Sequence, residues 1–418
     1  MAGVFVCCLA LYYTNWRALS QADTIPAPYV AFSLASGRGL DLRAYDVLDK
    51  FVGLSVVELP DGRRHSKYPP GSALFALPVV LPFALLAEDP PRTSVMRRLG
   101  KLSGALASAG AAAMLYFVLA RLAPAGALPA SVLFAAGTSL WPVASQSAWG
   151  HGAATFWLCG ALLLLLAPPA RWQGSVRVLA LGAGLCLGMA VLGRPTTILF
   201  AGASLAALAV SRQPAAALAC ALGAAFGAGV LVATNFATYG APVAGGYGAE
   251  VREWTTPLHV GLAGLLASPS RGLLVYSPAL LVIPFGLRAG ARRLDGHART
   301  LVALWGLACL GTLLLYSRWH VWWGGWCYGP RFLIETLPLL CLLFGLAWQS
   351  AGSGSAIRLR RVGGALIALS VAVQAMGVFG YDHNAWNRRH PLGPGFELRD
   401  TQIGAALRHL VGADARRP

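Results

Sequence analysis

The residues best suited to chemistry fall in three segments between apolar stretches. In the first, Gln21-Ala22-Asp23-Thr24-Ile25-Pro26 sets a carboxylate a few residues past an apolar run. Its neighbours Ala22, Ile25 and Pro26 are weakly polar, so partial desolvation would raise the Asp23 pKa and suit it to general-base work. The competing role for Asp23 is an N-cap for a short amphipathic helix at 27–36. In the second, Ser66-Lys67-Tyr68-Pro69-Pro70-Gly71 places Lys67 just outside the next apolar stretch, where it either binds a phosphate or snorkels to lipid headgroups.

The third segment is the densest. Between Ser317 and Arg331 stand Arg318, His320, Trp323, Trp326 and Tyr328, and four Trp (Trp319, Trp322, Trp323, Trp326) fall within eight residues. An interfacial aromatic belt would explain the Trp. It would not explain Gly324-Gly325 and Gly329-Pro330-Arg331, since glycine lets a backbone approach a ligand closely. Aromatic faces suit a sugar ring or an isoprenoid chain. Arg331 opens an apolar helix and suits a bidentate grip on phosphate. Glu335, four residues on, is expected to pair with Arg331 on one helix face.

Other candidates are single residues. His151, in the polar break Ser145–His151, either contacts a substrate or caps a helix. Arg194-Pro195 and Ser268-Pro269-Ser270-Arg271 put Arg at span boundaries, as lipid anchors would. Asn235, Tyr239, Tyr247 and Glu250 are placed to shape a pocket. The sequence holds no G-x-x-x-x-G-K-[ST], no G-x-G-x-x-G after a strand, no Cys/His zinc spacing and no G-x-S-x-G elbow. ATP, dinucleotide, zinc and serine-hydrolase chemistries are therefore unsupported.

The elements that must position these residues are membrane helices. Of 418 residues 56% are hydrophobic and only 12% charged, with a mean hydropathy of +0.60. So few charges could not cover a soluble fold of this size. The reading is an all-α polytopic membrane protein with about 11–12 transmembrane stretches. The apolar stretches are approximately 1–16, 70–87, 102–120, 127–143, 152–168, 176–193, 196–210, 215–234, 273–287, 300–317, 332–349 and 362–380. The first lacks the basic leader of a cleaved signal peptide, so it is read as a short or clipped helix. A Gly/Ser patch lies at 350–355.

Charge sets the expected topology. The net charge is +17, from 33 Lys+Arg against 16 Asp+Glu, and the Arg sit in short loops. They read as topology signals and contacts to anionic lipid, not as a nucleic-acid surface. The positive-inside rule puts Arg92–Lys101, Arg288–Arg299 and Arg358–Arg361 in the cytoplasm. Residues 17–69, 235–272 and 318–331, and the polar tail 381–418, are then outside. The parity is off by one, which implies a re-entrant stretch between 102 and 234. No repeat argues for an inverted-repeat transporter.

The order of these motifs resembles the GT-C-fold integral-membrane glycosyltransferases. It is most similar to bacterial relatives of the dolichyl-phosphate-mannose–protein mannosyltransferases (glycosyltransferase family 39-like). The residues that carry the resemblance are Gln21-Ala22-Asp23-Thr24, Ser66–Gly71, Ser268–Pro278 and Trp322–Leu333, and it covers residues 1–380. It implies a polyprenyl-phosphate sugar donor and inverting transfer to a glycan, lipid or protein acceptor. The site would lie at the external or periplasmic face of a bacterial plasma membrane. It implies Asp23 as the catalytic base. Arg331 and Lys67 would steady the departing phosphate, helped by Arg271 or Arg318. Tyr68, His151, His320, Trp323, Trp326, Tyr328 and Glu335 complete the expected substrate site. Where some of the superfamily have an adjacent acidic pair, Asp23 stands alone, so the divalent metal of those members is unsupported here and no other cofactor is expected. Acceptor recognition is expected to use the loops or a partner. The alternatives are a lipid-linked oligosaccharide polymerase or ligase, or a non-enzymatic lipid or solute transporter.

Overall fold

The computed structural model describes residues 1–169, 175–243, 245–350, 355–390 and 395–412, and they are overwhelmingly helical. Residues 351–354 of the Gly/Ser patch, and 391–394 and 413–418 of the tail, lie outside the described residues.

Helix α1 (Ala2–Tyr12) is apolar on all sides and leads to a one-turn 3₁₀ helix at Ala22–Thr24. Helix α2 (Pro26–Ala35) follows, with Pro26 at the first helical position, where its fixed φ helps and its missing N–H costs nothing. Eight of its ten residues are buried, so it is an interior helix and not the amphipathic one expected. A 3₁₀ turn at Asp46–Phe51 and an antiparallel hairpin complete the first loop. The hairpin is β1 (Val56–Glu58) and β2 (Arg64–Ser66), with Val57 opposite His65.

Helix α3 (Gly71–Leu86) carries Pro78 and Pro82 inside it, and α4 (Thr93–Leu122) is the longest helix. Here the structure corrects the expected topology. The Arg38 guanidinium, past the end of α2, donates to the Glu88 carbonyl, past the end of α3. Pro28 of α2 packs at Gly100 of α4. Lys101 Nζ donates to Asn15 Oδ1 and to the Arg17 carbonyl, just past α1. The end of α3 and the first turns of α4 therefore lie with α2, on the face that carries Asp23. Arg92–Lys101 is thus not opposite residues 17–69. The stretch 70–87 ends on the face where it began, and that accounts for the odd parity without a re-entrant segment between 102 and 234. Of the four basic residues in Arg92–Lys101, Lys101 is buried and spends its charge on Asn15 and the Arg17 carbonyl, while Arg92, Arg97 and Arg98 are exposed on the Asp23 face.

Beyond Lys101, α4 runs back beside α1. Helices α5 (Pro124–Ala136), α6 (Gly150–Leu166), α7 (Val176–Gly193), α8 (Ile198–Val210) and α9 (Pro214–Tyr239) then alternate in direction. Gly184 and Gly188 of α7 meet Gly223 and Gly227 of α9 backbone to backbone. A Cβ at Gly227 would lie 2.2 Å from the Gly188 carbonyl carbon, so this contact admits only glycine. It fixes α9, whose far end walls the site. The α9 residues Leu218, Leu222 and Phe226 are more than 60% exposed, as a lipid-facing surface requires.

Helix α10 (Leu258–Ala267) packs at Ser317, the end of a later helix. The short α11 (Leu273–Tyr276) and α12 (Ile283–Ala291) lead back across to α13 (Gly296–Arg318), which Asp295 caps. A 3₁₀ turn at Arg331–Thr336 feeds α14 (Leu337–Ser350), followed by α15 (Ser355–Phe379), α16 (His383–Arg389) and α17 (Gln402–Leu410). Among the described residues six helical segments are long and apolar enough to cross a membrane, and shorter apolar helices pack between them. The protein is an integral membrane protein. The Arg288–Arg299 and Arg358–Arg361 segments lie at the ends of α12–α15 remote from Asp23.

Candidate functional site

Asp23 is held by the turn it sits in. Thr24 Oγ1 accepts from the Gln21 N–H, and Ser147 Oγ donates to Thr24 Oγ1 at 2.9 Å. Gln21 and Thr24 supply the cap, so the Asp23 carboxylate is not spent on capping. It meets Arg331 instead, with Nη1 2.6 Å from Oδ2. Arg331 reaches it because Gly324, at φ +80°, leaves room for its stem. A Cβ there would come within 2.9 Å of Arg331 Cγ. The guanidinium lies 4.7 Å from the Trp149 ring centroid, a cation–π distance. Its Nε is buried with no hydrogen-bond partner among the described residues.

The sequence reading expected burial to raise the Asp23 pKa. Burial does push it up, but the Arg331 charge and hydrogen bond outweigh that, with help from the Tyr68 hydroxyl and the Lys67 charge. The carboxyl is held below the ordinary carboxylate range.

A small cleft opens beside Asp23, between the first loop and the site end of α9. Its polar lining includes Lys67, Tyr68, His65, Asn235 and Tyr239. Lys67 Nζ lies 2.6 Å from Glu250 Oε1, and Tyr68 meets the edge of the Tyr247 ring. Burial raises the Tyr68 hydroxyl pKa, as do the Asp23 charge and Tyr247. One carboxylate, Asp23, lines the cleft, and it is already paired. That set does not suit a divalent cation, which takes several oxygen ligands. Among the described residues no group of three or more His, Cys, Asp or Glu could hold a metal.

Glu335 does not pair with Arg331. Residues 331–336 form a 3₁₀ turn, in which positions four apart are not stacked. Glu335 Oε1 instead meets His151 Nδ1 at 2.8 Å and Arg194 Nε at 3.3 Å. The Tyr316 hydroxyl bonds Arg194 and Thr196, and its ring stacks on Phe332 at 4.4 Å. The result is a buried ionic cluster directly under Arg331, joined to it through Phe332.

The structure thus brings Asp23, Lys67, Tyr68 and Arg331 together, with His151 and Glu335 as their buttress. Other expected residues stand apart from the cleft. Arg271 is buried and donates to the Cys327 carbonyl and Asn387. Tyr328 donates to the Val373 carbonyl. Arg318 donates to the Trp254 carbonyl, and His320 bonds Glu253. Trp323 packs edge-on against Trp322, and Trp326 is 40% exposed.

Sequence reasoning assigned no site role to Arg194 or Trp149. Arg194 carried a signal, an Arg between two apolar runs and followed by Pro, but was read as a lipid anchor. Trp149 gave none.

No family model matches the sequence, and neither does any curated protein. Among solved structures, the chain is similar to the crystal structure of the Archaeoglobus fulgidus oligosaccharyltransferase in complex with zinc and sulfate. The TM-score is 0.58 at 12% identity over 95% of this chain. The match spans 57% of that protein, so the chain corresponds to little more than half its length. At this identity the likeness speaks for the fold. The fold is the all-α polytopic membrane one expected from composition and apolar spacing.

Proposed function

We propose that the protein is a membrane glycosyltransferase that moves a sugar from a polyprenyl-phosphate donor to an acceptor hydroxyl, with inversion. The observation that carries this reading is the Asp23–Arg331 pair beside a polar cleft. A lone carboxylate and a guanidinium with a spare N–H face each other where a base and a phosphate contact are both needed. The GT-C-type fold supports it.

In this mechanism the donor phosphate docks on Arg331 and Lys67. Both cations are paired with carboxylates beforehand, so the phosphate takes the place of Asp23 on Arg331 and of Glu250 on Lys67. Freed of Arg331, Asp23 keeps its burial and loses its main acidifying partner, and its basicity rises. Asp23 then accepts the acceptor's hydroxyl proton as that oxygen bonds to the anomeric carbon. The bond from that carbon to the phosphate oxygen breaks, and its electron pair leaves on polyprenyl phosphate. Arg331 and Lys67 stabilise the added charge. The Glu335–His151–Arg194 cluster holds the turn that carries Arg331. Docking of the donor's phosphate on Arg331 thus both anchors the leaving group and arms the base.

The reading places the site at the external or periplasmic face of a bacterial plasma membrane. The arginine-rich Arg288–Arg299 and Arg358–Arg361 segments lie on the far face, which the positive-inside rule assigns to the cytoplasm. The acceptor is a glycan, lipid or protein. Transfer from a panel of polyprenyl-phosphate sugars by wild type and Asp23→Asn tests the reaction; turnover by the variant at the wild-type rate would remove Asp23 as the base.

A further inference from the structure

His65 is 6% exposed, lines the cleft, and its Nε2 has no hydrogen-bond partner among the described residues. A buried polar atom without a partner is costly, and a hydrogen-bonding group brought against it removes that cost. His65 lies in β2, and Lys67 is two residues further along the chain. Lys67 stands just past the end of β2, and both side chains line the cleft. Opposite His65 stands α9. Its Tyr239 hydroxyl donates to the Ser66 carbonyl at 3.0 Å and so ties α9 to this stretch. The Tyr239 ring meets His65 edge-on, and Thr238 and Asn235 border the same space.

We propose that His65, with Tyr239 and Thr238, forms a subsite for the hydroxyls of the transferred sugar at the end of the ring remote from the phosphate. This rests on the reading of the cleft as a donor site. Lys67 meets the phosphate next to the anomeric carbon, and His65 stands further along the same wall of the cleft. Burial lowers the His65 pKa, so the ring is neutral at physiological pH and offers one donor and one acceptor, as a sugar hydroxyl requires. His65 is then a specificity residue and not a catalytic one.

The test is equilibrium binding, in detergent, of polyprenyl phosphate, polyprenyl-phosphate mannose and polyprenyl-phosphate glucose to wild type, His65→Leu and His65→Gln. Wild type is expected to bind at least one sugar-bearing lipid about tenfold more tightly than bare polyprenyl phosphate. His65→Leu should lose that gain while binding polyprenyl phosphate like wild type, and His65→Gln, which keeps a donor and an acceptor, should recover part of it. A gain that survives in His65→Leu overturns the subsite. So does an equal loss of affinity for all three lipids in folded His65→Leu. Failure of wild type to bind any of the three refutes the donor-site reading itself, and the subsite falls with it.

Discussion

Asp23 and Arg331 stand 308 residues apart in the chain and meet at 2.6 Å. The pair closes the first loop onto the turn that begins α14. It also sets the resting state of the site, with the carboxylate ionised and the guanidinium partly satisfied.

The pair gives stability a pH dependence of defined sign. The Asp23 pKa is lower in the folded protein than in the unfolded chain. Its contribution is therefore fully present above the ordinary carboxylate pKa of ~3.9 and is lost as pH falls through the depressed folded value. Melting of wild type and Asp23→Asn in detergent should differ by a constant amount above about pH 5. The difference should shrink as the pH drops below about 4. A difference that grows on acidification would contradict the pairing.

Arg331→Ala is expected to weaken donor-lipid binding at least about tenfold, since it removes a charge-assisted phosphate contact. It leaves Asp23 without its partner and does not unpair Glu335. The double variant Asp23→Asn/Arg331→Ala should therefore be less destabilised than the sum of the two single changes. Additive stability losses would show that the two residues do not interact.

Glu335 is 2% exposed, hydrogen-bonds His151 and ion-pairs with the largely buried Arg194, so its removal leaves Arg194 without a carboxylate partner. Glu335→Ala should cost about 3–5 kcal/mol. The readout is an earlier thermal transition, with loss of transfer following the loss of fold. Unchanged melting would show that the cluster is not what supports the Arg331 turn.

Gly324→Ala separates position from fold. Both its φ of +80° and the 2.9 Å approach to Arg331 Cγ oppose a Cβ. The helical content should be unchanged, while donor affinity falls as in Arg331→Ala. Wild-type affinity in Gly324→Ala would mean that the placement of Arg331 does not matter to binding.

The topology is directly testable with single cysteines in a cysteine-free background. Cysteine at exposed Leu54 and at exposed Arg98 should react with an impermeant maleimide from the same side of the membrane. Cysteine at exposed Arg293 should react only from the other. Labelling of Arg98 and Arg293 positions from one side would restore α3 as a crossing helix.

Composition and apolar spacing were enough to read the helical membrane fold, because so few charges leave no other class. Asp23, Lys67, Tyr68 and Arg331 were legible from residue type and local context. Their pairing was not, since nothing in the local sequence couples positions 23 and 331. Two errors share one physical cause, the assumption of regular helix geometry and ordinary interfaces. Stretch 70–87 is apolar enough to cross, yet Pro78 and Pro82 lie within a helix that stays on one face. Glu335 is four residues from Arg331, yet a 3₁₀ turn sends it to His151 and Arg194. Arg194 and Lys101 were assigned to lipid and to a loop because burial of a charge is visible only once its partners are in place.

The most direct test of the account is sugar transfer from polyprenyl-phosphate donors to a membrane-extract acceptor, by purified wild type and Asp23→Asn. The account predicts turnover by wild type, a loss of about 10²–10⁴-fold or more in the variant, and donor binding retained in both. Equal turnover by the two proteins, or no turnover of any donor by well-folded wild type supplied with a competent acceptor, would contradict it.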